Sequence, residues 1–308
     1  MPPIASSSSP LFPRFAEYRI ALADQVEMAY IDNGKGNHPP LVLLHGIFDN
    51  KATWFRLTAR LPGRRILAPD LIGHGHSSKP TFAARPAHER YSPDMQVSYL
   101  AAFIAALDLD DVILVGNSLG GGLALRLYLD FPARAAKVRG LVLIDAAGYP
   151  HKLPVHVRTL GSHLGKLLAH APLHTLARTC GLLRLAAWRT FRRCFHDRSK
   201  IPPELATVAH AALETPNAAY AYHYSALNLV PPDVATFYQR FGDITCPTLV
   251  LWGQQDHVLP VRSAQCFVAD LPCADLHIFP NCGHAPHLEY PDETADCIER
   301  WIKERDIA

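Results

Sequence analysis

The chain has 308 residues, of which 49% are hydrophobic and 19% charged, and its formal net charge is +2. This length and composition predict one large domain with an insertion, able to bury a sizeable core. They give no sign of a membrane-spanning helix, because no window reaches the roughly 18 consecutive apolar residues that such a helix needs.

The N-terminal segment, Met1 to Phe15, contains a serine run (Ser6 to Ser9) and several prolines. It lacks the basic start and the apolar core of a secretory signal. We therefore expect a disordered tail. The seven cysteines form no C-x-x-C pair and are odd in number, which is typical of a reduced, cytosolic setting. The expected location is the cytoplasm.

Apolar runs separated by turn residues predict the secondary structure in chain order. An edge hairpin is expected over Tyr18 to Met28. Buried parallel strands are predicted at 41–44, 65–69, 112–116, 138–144, 248–253 and 275–279. Helices are expected near 51–61, 95–107, 120–131, 262–271 and 292–305. This alternation indicates an α/β fold with a doubly wound, mostly parallel sheet and a site at the carboxyl ends of its strands.

The strand at 112–116 runs directly into Gly116-Asn117-Ser118-Leu119-Gly120, and a helix-forming stretch follows. A strand, a G-x-S-x-G turn and a helix in this order are typical of a nucleophile elbow. The glycines permit the sharp reversal, and the turn exposes the Ser118 hydroxyl at the edge of the sheet. Ser118 is therefore the predicted nucleophile.

A nucleophilic serine needs a base and an acid that orients the base. The strand at 248–253 is followed by Asp256, the leading candidate for the acid, and the strand at 275–279 is followed by His284, the leading candidate for the base. Asp145, after the strand at 138–144, is the alternative acid. The chain order Ser, Asp, His is that of the α/β-hydrolase fold and differs from the orders in chymotrypsin-like and subtilisin-like proteases.

On these motifs the chain resembles the α/β-hydrolase superfamily from Glu17 to Ile307. The segments 45–54, 116–121 and 143–148 look most like the bacterial lipase/esterase and monoacylglycerol-lipase branch. The resemblance implies an oxyanion hole formed by the backbone N–H groups of Ile47 and Leu119, with Phe48 as the alternative donor to Ile47. It also implies substrate contacts from four residues: His45, Gly46, Phe48 and Asn117. The turn from Asp70 to Ser77 is interpreted as structural.

The family resemblance implies hydrolysis of hydrophobic acyl esters through a covalent acyl-enzyme, without an organic cofactor or a metal. Three alternatives stay open: a carbon–carbon bond hydrolase of ring-fission diketones, a cofactor-free haloperoxidase or perhydrolase, and a non-enzymatic ligand receptor. The carbon–carbon hydrolases usually carry a Ser-Gly-Pro-Gly-type loop after His-Gly, where this chain has Ile47 to Asn50. Cys282, close to His284, is interpreted as a buried small side chain and not as a nucleophile.

Residues 150–243 interrupt the alternation of strands and helices and resemble a helical cap inserted into a core domain of residues 1–149 and 244–308. From His151 to Lys200 there are ten Lys or Arg residues and one acid, Asp197. Leucines interleave with these charges, so the cap is either a solvated face over the active site or a basic surface that makes transient contact with an anionic membrane. Nucleic-acid binding is not expected, because the window has few aromatic residues and matches no known motif. The oligomeric state is left open.

Overall fold

The computed structural model describes residues 4–6, 10–169 and 182–307. Their strands form one nine-stranded sheet in the order β1-β2-β3-β5-β4-β6-β7-β8-β9. The strands are β1 (Ile4–Ser6), β2 (Ala16–Ala21), β3 (Glu27–Asp32), β4 (Asn37–Leu44), β5 (Arg64–Pro69), β6 (Val112–Asn117), β7 (Val138–Ile144), β8 (Thr248–Gly253) and β9 (Ala274–Phe279). Strands β4 to β9 are parallel, and β1 to β3 add an antiparallel edge.

The predicted hairpin and all six predicted parallel strands are confirmed, with boundaries that differ by a few residues at most. Every residue of β6 and β8 is buried. Such strands read as continuous apolar runs because helices cover both faces of a parallel sheet. Alternate residues of β4 enter two different apolar clusters: Val42 and Leu44 face one, and Leu41 and Leu43 face the other.

Helices α1 (Phe55–Arg60), α2 (Pro93–Ala106), α3 (Leu119–Asp130), α4 (Pro132–Ala135), α11 (Arg262–Asp270), α12 (Pro286–Glu289) and α13 (Pro291–Glu304) belong to the part of the chain that carries the sheet. Residues of α2, α3 and α11 pack in one apolar cluster, and those of α1, α12 and α13 pack in the other. The five helices predicted for this part are therefore confirmed, and they form a layer on each face of the sheet.

Between β7 and β8 the described residues form helices only. These are α5 (Val155–Leu160), α6 (His163–Leu168), α7 (Leu182–Cys194), α8 (Pro203–Glu214), α9 (Ala218–Leu227) and α10 (Val234–Phe237), with short 3-10 turns at Arg198–Lys200 and Tyr238–Asp243. The fold is thus an α/β-hydrolase fold in which a helical insertion separates β7 from β8. Part of the predicted basic window, residues 170–181, lies outside the described residues. No helix in the described ranges is long and apolar enough to cross a bilayer.

The N-terminal segment departs from the prediction of a disordered tail. Residues 4–6 pair with β2 in antiparallel register, so that Ile4 lies opposite Arg19. Phe12 and Phe15 are 2% and 5% exposed, and their rings meet edge to face at 5.7 Å in the apolar cluster that contains Trp54. For residues 4–6 and 10–15 the prediction was wrong, because composition pointed to a loop, whereas burial of two aromatic rings offsets the entropy of ordering these residues.

Candidate active site

Ser118 occupies the turn between β6 and α3 in a strained backbone conformation, with φ 54° and ψ −117°. A Cβ atom at Gly116 would overlap the backbone of Gly120, and a Cβ atom at Gly120 would overlap the carbonyl oxygen of Leu44. Both glycines of the G-x-S-x-G motif are therefore required by the close approach of the strand and the helix. The elbow predicted from sequence is present, and Ser118 lines a cavity at the carboxyl end of the sheet.

His284 and Asp256 come from the loops after β9 and β8 and form a hydrogen-bonded pair. The His284 Nδ1 atom lies 2.7 Å from Asp256 Oδ2. Asp256 Oδ1 accepts hydrogen bonds from the N–H groups of Val258 (2.6 Å) and Leu259 (3.0 Å). These donors fix the carboxylate, and the pair orients the imidazole so that its other nitrogen is free for proton transfer.

The Asn117 side chain joins the nucleophile turn to the histidine loop. Its Nδ2 atom donates to the carbonyl oxygens of Ile144 (3.1 Å) and His284 (3.2 Å). Asn117, Ser118 and His284 line the same cavity. Asn117 lies in the cavity lining, as its predicted contact with substrate requires. In addition, its amide nitrogen holds the two loops together.

The loop after β4 lies against Ser118. A Cβ atom on Gly46 would be 3.3 Å from Ser118 Cβ, so the two residues are already in close contact. Gly46, Ile47, Phe48 and Leu119 line the cavity. Within the described ranges no hydrogen bond involves the N–H groups of Ile47, Phe48 or Leu119. The positive φ of Phe48 (61°) turns the backbone at this point, and these N–H groups can stabilise an oxyanion.

His45 does not lie where substrate contact would require it. Its side chain is fully buried and is not among the residues that line the cavity. The Nε2 atom accepts the N–H of Leu71 (2.9 Å), and Nδ1 lies 2.7 Å from the carbonyl oxygen of Gly46. Burial lowers the pKa of His45 to about 4, so the ring is neutral. The predicted substrate contact is corrected: both ring nitrogens hold the loop in place.

The turn that begins at Asp70 is buried. Its contacts agree with the structural role predicted from the sequence. The Asp70 carboxylate accepts the N–H of Lys51 (2.7 Å) and of His76 (2.8 Å), and it forms an ion pair of 2.6 Å with Lys51 Nζ. Burial alone would raise the pKa of Asp70, but the Lys51 charge and these hydrogen bonds lower it to about 2. The group therefore remains ionised and anchors the turn.

Asp145, the alternative acid, is fully buried beside the pair. Its Oδ1 atom accepts the N–H of Gly253 (2.9 Å), whereas Oδ2 has no hydrogen-bond partner in the described part of the chain. Burial, followed by the nearby Asp256 charge, raises its pKa well above the usual range and so disfavours the charged form of Asp145. Polar atoms of Asp145, Asp256 and His284 lie within 4.8 Å of one another, which makes them a possible metal-binding group. However, the contact between His284 and Asp256 has the length of a hydrogen bond.

Glu289, at the end of α12, ties the histidine loop to the cap. Its carboxylate accepts the N–H groups of Gly283 (2.6 Å), His196 (3.1 Å) and Asp197 (3.0 Å). Cys282 is fully buried with its sulfur 3.8 Å from the same carboxylate, and burial raises its thiol pKa further above the usual range. A thiol in this state is a poor nucleophile, as its predicted structural role requires.

The sequence did not identify the residues from the cap that close the cavity. These include Leu153, Val157, Leu229, Val230 and Phe237, together with Arg193 and Cys194. The backbone carbonyl of Cys194 accepts the N–H of His284 at 2.6 Å, so the end of α7 touches the histidine loop directly. No spacing or motif marks these residues, because they meet the site only through the packing of the insertion.

Asp49 also lines the cavity, although no motif in the sequence identifies it as a site residue. Its Oδ1 atom accepts the N–H of Asn50 at 2.8 Å, and burial raises its pKa to about 6. This carboxyl group therefore gains a desolvated charge inside an otherwise apolar cavity when the pH rises above 6.

We expect the Asp49→Asn substitution to stabilise the protein more at pH 8 than at pH 5. Because the pKa of Asp49 is raised in the folded protein, this group contributes stability at pH values below its pKa in the unfolded chain. That contribution is lost as the pH rises through about 6. Asparagine removes the cost of the charge and keeps an acceptor for the Asn50 N–H. The measurement is the difference in Tm between variant and wild type at the two pH values. Equal differences would contradict the raised pKa.

Comparisons with known proteins identify the family of this chain and its fold. The model of a family described as "alpha/beta hydrolase fold" matches residues 39–291. The 2-hydroxymuconate semialdehyde hydrolase of Pseudomonas putida is 30% identical over 94% of this chain and 93% of its own length. Lipase 1 of Psychrobacter immobilis is 27% identical over 90% of this chain and 81% of its own. The crystal structure of a membrane phospholipase A, a bacterial virulence factor, is 27% identical with a TM-score of 0.74, covering 96% of this chain and 88% of that one.

Proposed function

Because the chain belongs to the α/β-hydrolase family, we propose that it is a serine hydrolase that cleaves carboxylic esters with hydrophobic acyl groups through an acyl-enzyme. One observation carries this proposal: Ser118, on its strained turn, lines the same apolar cavity as the hydrogen-bonded pair of His284 and Asp256. Similarity to a lipase and to a phospholipase supports the same class of substrate.

The first half of the reaction forms the acyl-enzyme. Asp256 accepts the Nδ1–H of His284, so Nε2 is free to remove the proton from Ser118 as the serine oxygen attacks the ester carbonyl carbon. The tetrahedral intermediate places its negative oxygen against the N–H of Leu119 and that of Ile47 or Phe48. When the intermediate collapses, the carbon–oxygen bond to the alcohol breaks, and the alcohol leaves with the proton from His284.

The second half releases the acid. Water attacks the acyl-enzyme with His284 again as the general base, and Ser118 recovers its proton when the acyl carbon is released. This scheme requires neither an organic cofactor nor a metal, since the imidazole moves the proton and the backbone N–H groups stabilise the charge. The three side-chain roles and the two N–H roles are proposals for this chain.

The cavity supports an apolar acyl group of limited length. Its volume is about 230 Å³, and its lining includes Phe48, Val157, Leu229, Val234 and Leu259. Ligand cavities that bury most of a drug-sized molecule are larger, so we expect an optimum at acyl chains of roughly four to eight carbons. Longer chains would have to leave the cavity or displace cap side chains.

A second candidate, hydrolysis of a carbon–carbon bond, is favoured by the relative from Pseudomonas putida at 30% identity. Against it stands the loop after Gly46, where Ile47 to Asn50 replace the glycine-rich segment usual in such enzymes. Haloperoxidase or perhydrolase activity uses the same side chains, and a receptor function uses the same cavity. The ester reading accounts best for the apolar lining.

The test is hydrolysis of p-nitrophenyl esters from acetate to palmitate by the purified protein, with a ring-fission dienoate as the contrasting substrate. We expect ester cleavage with an optimum at medium chain length and slow cleavage of the dienoate. Rapid dienoate cleavage beside slow ester cleavage would move the assignment to carbon–carbon hydrolysis. No turnover of either substrate would support the receptor function.

We also propose that residues 150–243 act as a cap on a core formed by 1–149 and 244–308, and that the cap contacts anionic lipid surfaces transiently. Apolar side chains of this insertion are exposed: Val155 by 63%, Leu164 by 54% and Leu167 by 53%. Arg158 and Lys166 lie on the same two helices. A charged and apolar outer surface suits a membrane interface. Co-sedimentation with anionic but not with neutral vesicles would support this contact.

A further inference from the structure

A second cavity of about 430 Å³ lies on the cap side of the active-site cavity. The two cavities are neighbours, because Pro154, His156, Arg193 and Val258 line both of them. Four side chains with permanent positive charge line the second cavity: Lys152, Arg192, Arg193 and Arg198. Three histidines complete its polar lining, so this space is more polar than the cavity at Ser118, whose lining is mostly apolar.

Among the residues that the structure describes, no acidic side chain lines this cationic pocket. The adjacent acid in the chain, Asp197, directs its Oδ1 atom to the N–H (2.9 Å) and the hydroxyl (2.7 Å) of Ser199. Within the described residues none of the four cationic side chains takes part in an ion pair. Charges of one sign around a common space repel one another, and an anion bound between them would relieve that repulsion.

Arg193 stands at the junction of the two cavities. Its Nη1 atom lies 3.0 Å from His156 Nδ1. Burial, and then the Arg193 charge, lower the pKa of His156, so the imidazole is neutral and accepts this hydrogen bond. Because Arg193 lines both cavities, a molecule that extends from Ser118 into the cationic pocket would lie beside its guanidinium.

We propose that the cationic pocket binds a compact anionic group, a phosphate or a carboxylate, carried by the ester substrate. This inference rests on the ester hydrolysis proposed above and specifies the substrate: an anionic amphiphile whose acyl chain occupies the apolar cavity. Guanidinium groups bind both kinds of oxyanion through paired N–H donors, and several of them together suit the charge of a phosphate. The ester bond then lies at Ser118, between the two subsites.

The test compares three soluble substrates with the same acyl chain: 1-octanoylglycerol, its 3-phosphate, and 3-O-octanoylglycerate. The quantity is the ratio of kcat/KM for each anionic ester to that for the neutral ester, below the critical micelle concentration. The variant is Arg192→Gln, and the matched control is Arg189→Gln. Arg189 is exposed on the same helix, α7, and does not line the pocket, so both changes remove one positive charge from one helix.

We expect the wild type to prefer an anionic ester and the ratio to fall roughly fivefold in Arg192→Gln, the effect of one partly exposed charge-assisted hydrogen bond. In Arg189→Gln the ratio stays at the wild-type value. The ester with the larger fall identifies phosphate or carboxylate as the preferred group. An equal fall in both variants would assign the preference to the overall field of the basic cap and overturn the proposal, as would a wild type without any preference.

A binding measurement separates this proposal from the proposed reaction. Calorimetric titration of the Ser118→Ala protein with inorganic phosphate needs no turnover. We expect binding that the added Arg192→Gln change weakens and the added Arg189→Gln change does not. Phosphate binding in a protein that cleaves no ester would contradict only the proposed reaction. Ester cleavage without phosphate or carboxylate discrimination would overturn only the pocket.

Discussion

Substitution of Ser118 by alanine is expected to lower kcat for p-nitrophenyl butyrate by about 10⁵- to 10⁶-fold, as for the loss of a nucleophile in other serine hydrolases. Without the hydroxyl no acyl-enzyme forms, and His284 has no proton to remove. The residual rate would come from the oxyanion hole and from substrate binding. Steady-state kinetics with the purified variant measure the effect.

Two controls make the Ser118 result specific. Ser98→Ala removes a hydroxyl from an exposed position on α2, where it donates to the carbonyl of Asp94, and should retain wild-type turnover. Thermal unfolding of the Ser118→Ala protein should match that of the wild type, because the backbone strain at this position is unchanged. Retention of more than a tenth of the ester turnover in a folded Ser118→Ala protein would refute the acyl-enzyme.

The second large effect is expected from Asp256. The Asp256→Ala variant should lose about 10⁴-fold in kcat, because the imidazole of His284 loses the acceptor that holds its Nδ1–H tautomer. Asp145→Ala should lose far less ester turnover, since Asp256 and not Asp145 is the hydrogen-bond partner of His284 Nδ1, and the raised pKa of Asp145 disfavours its charged form. Steady-state kinetics of both variants on one ester give the ranking.

Isosteric variants separate charge from shape at these two positions. Asp145→Asn keeps an acceptor for the Gly253 N–H and replaces a carboxyl group whose charged form is disfavoured, so turnover should remain close to that of the wild type. Asp145→Ala leaves that N–H unpaired and should cost about 1–3 kcal/mol of unfolding free energy. Asp256→Asn should resemble Asp256→Ala in turnover. A greater loss from either Asp145 change than from the Asp256 changes would transfer the role of the acid to Asp145.

Hydrogen bonds attach the cap to the histidine loop. We therefore expect a movement of the cap to be accompanied by a movement of the active site. Cys194 at the end of α7 accepts the N–H of His284, and Glu289 binds N–H groups from both segments. The Arg192 and Arg193 side chains lie on the same last turn of α7. A molecule held in the cationic pocket therefore contacts the helix that also touches the proposed base.

The sequence by itself determined the core of the fold. Six apolar runs gave the parallel strands at their observed positions, because strands covered on both faces carry few polar residues. The strand followed by G-x-S-x-G predicted the turn at Ser118, since only glycine fits the close approach of the backbone at positions 116 and 120. These features are local: each depends on a few neighbouring residues and their backbone preferences.

Only the tertiary structure decided how distant segments meet. It placed Asp256, and not Asp145, against His284 Nδ1, turned His45 away from the cavity, and ordered the N-terminal segment around Phe12 and Phe15. It also brought Arg192 and Arg193 into one pocket with Lys152. Asp145 and Asp256 both follow buried strands of the sheet, and His45 and His284 both lie beside a glycine after a strand. Their local sequences therefore do not distinguish their roles. Burial and hydrogen-bond partners decide between such alternatives, and they arise from packing across the chain.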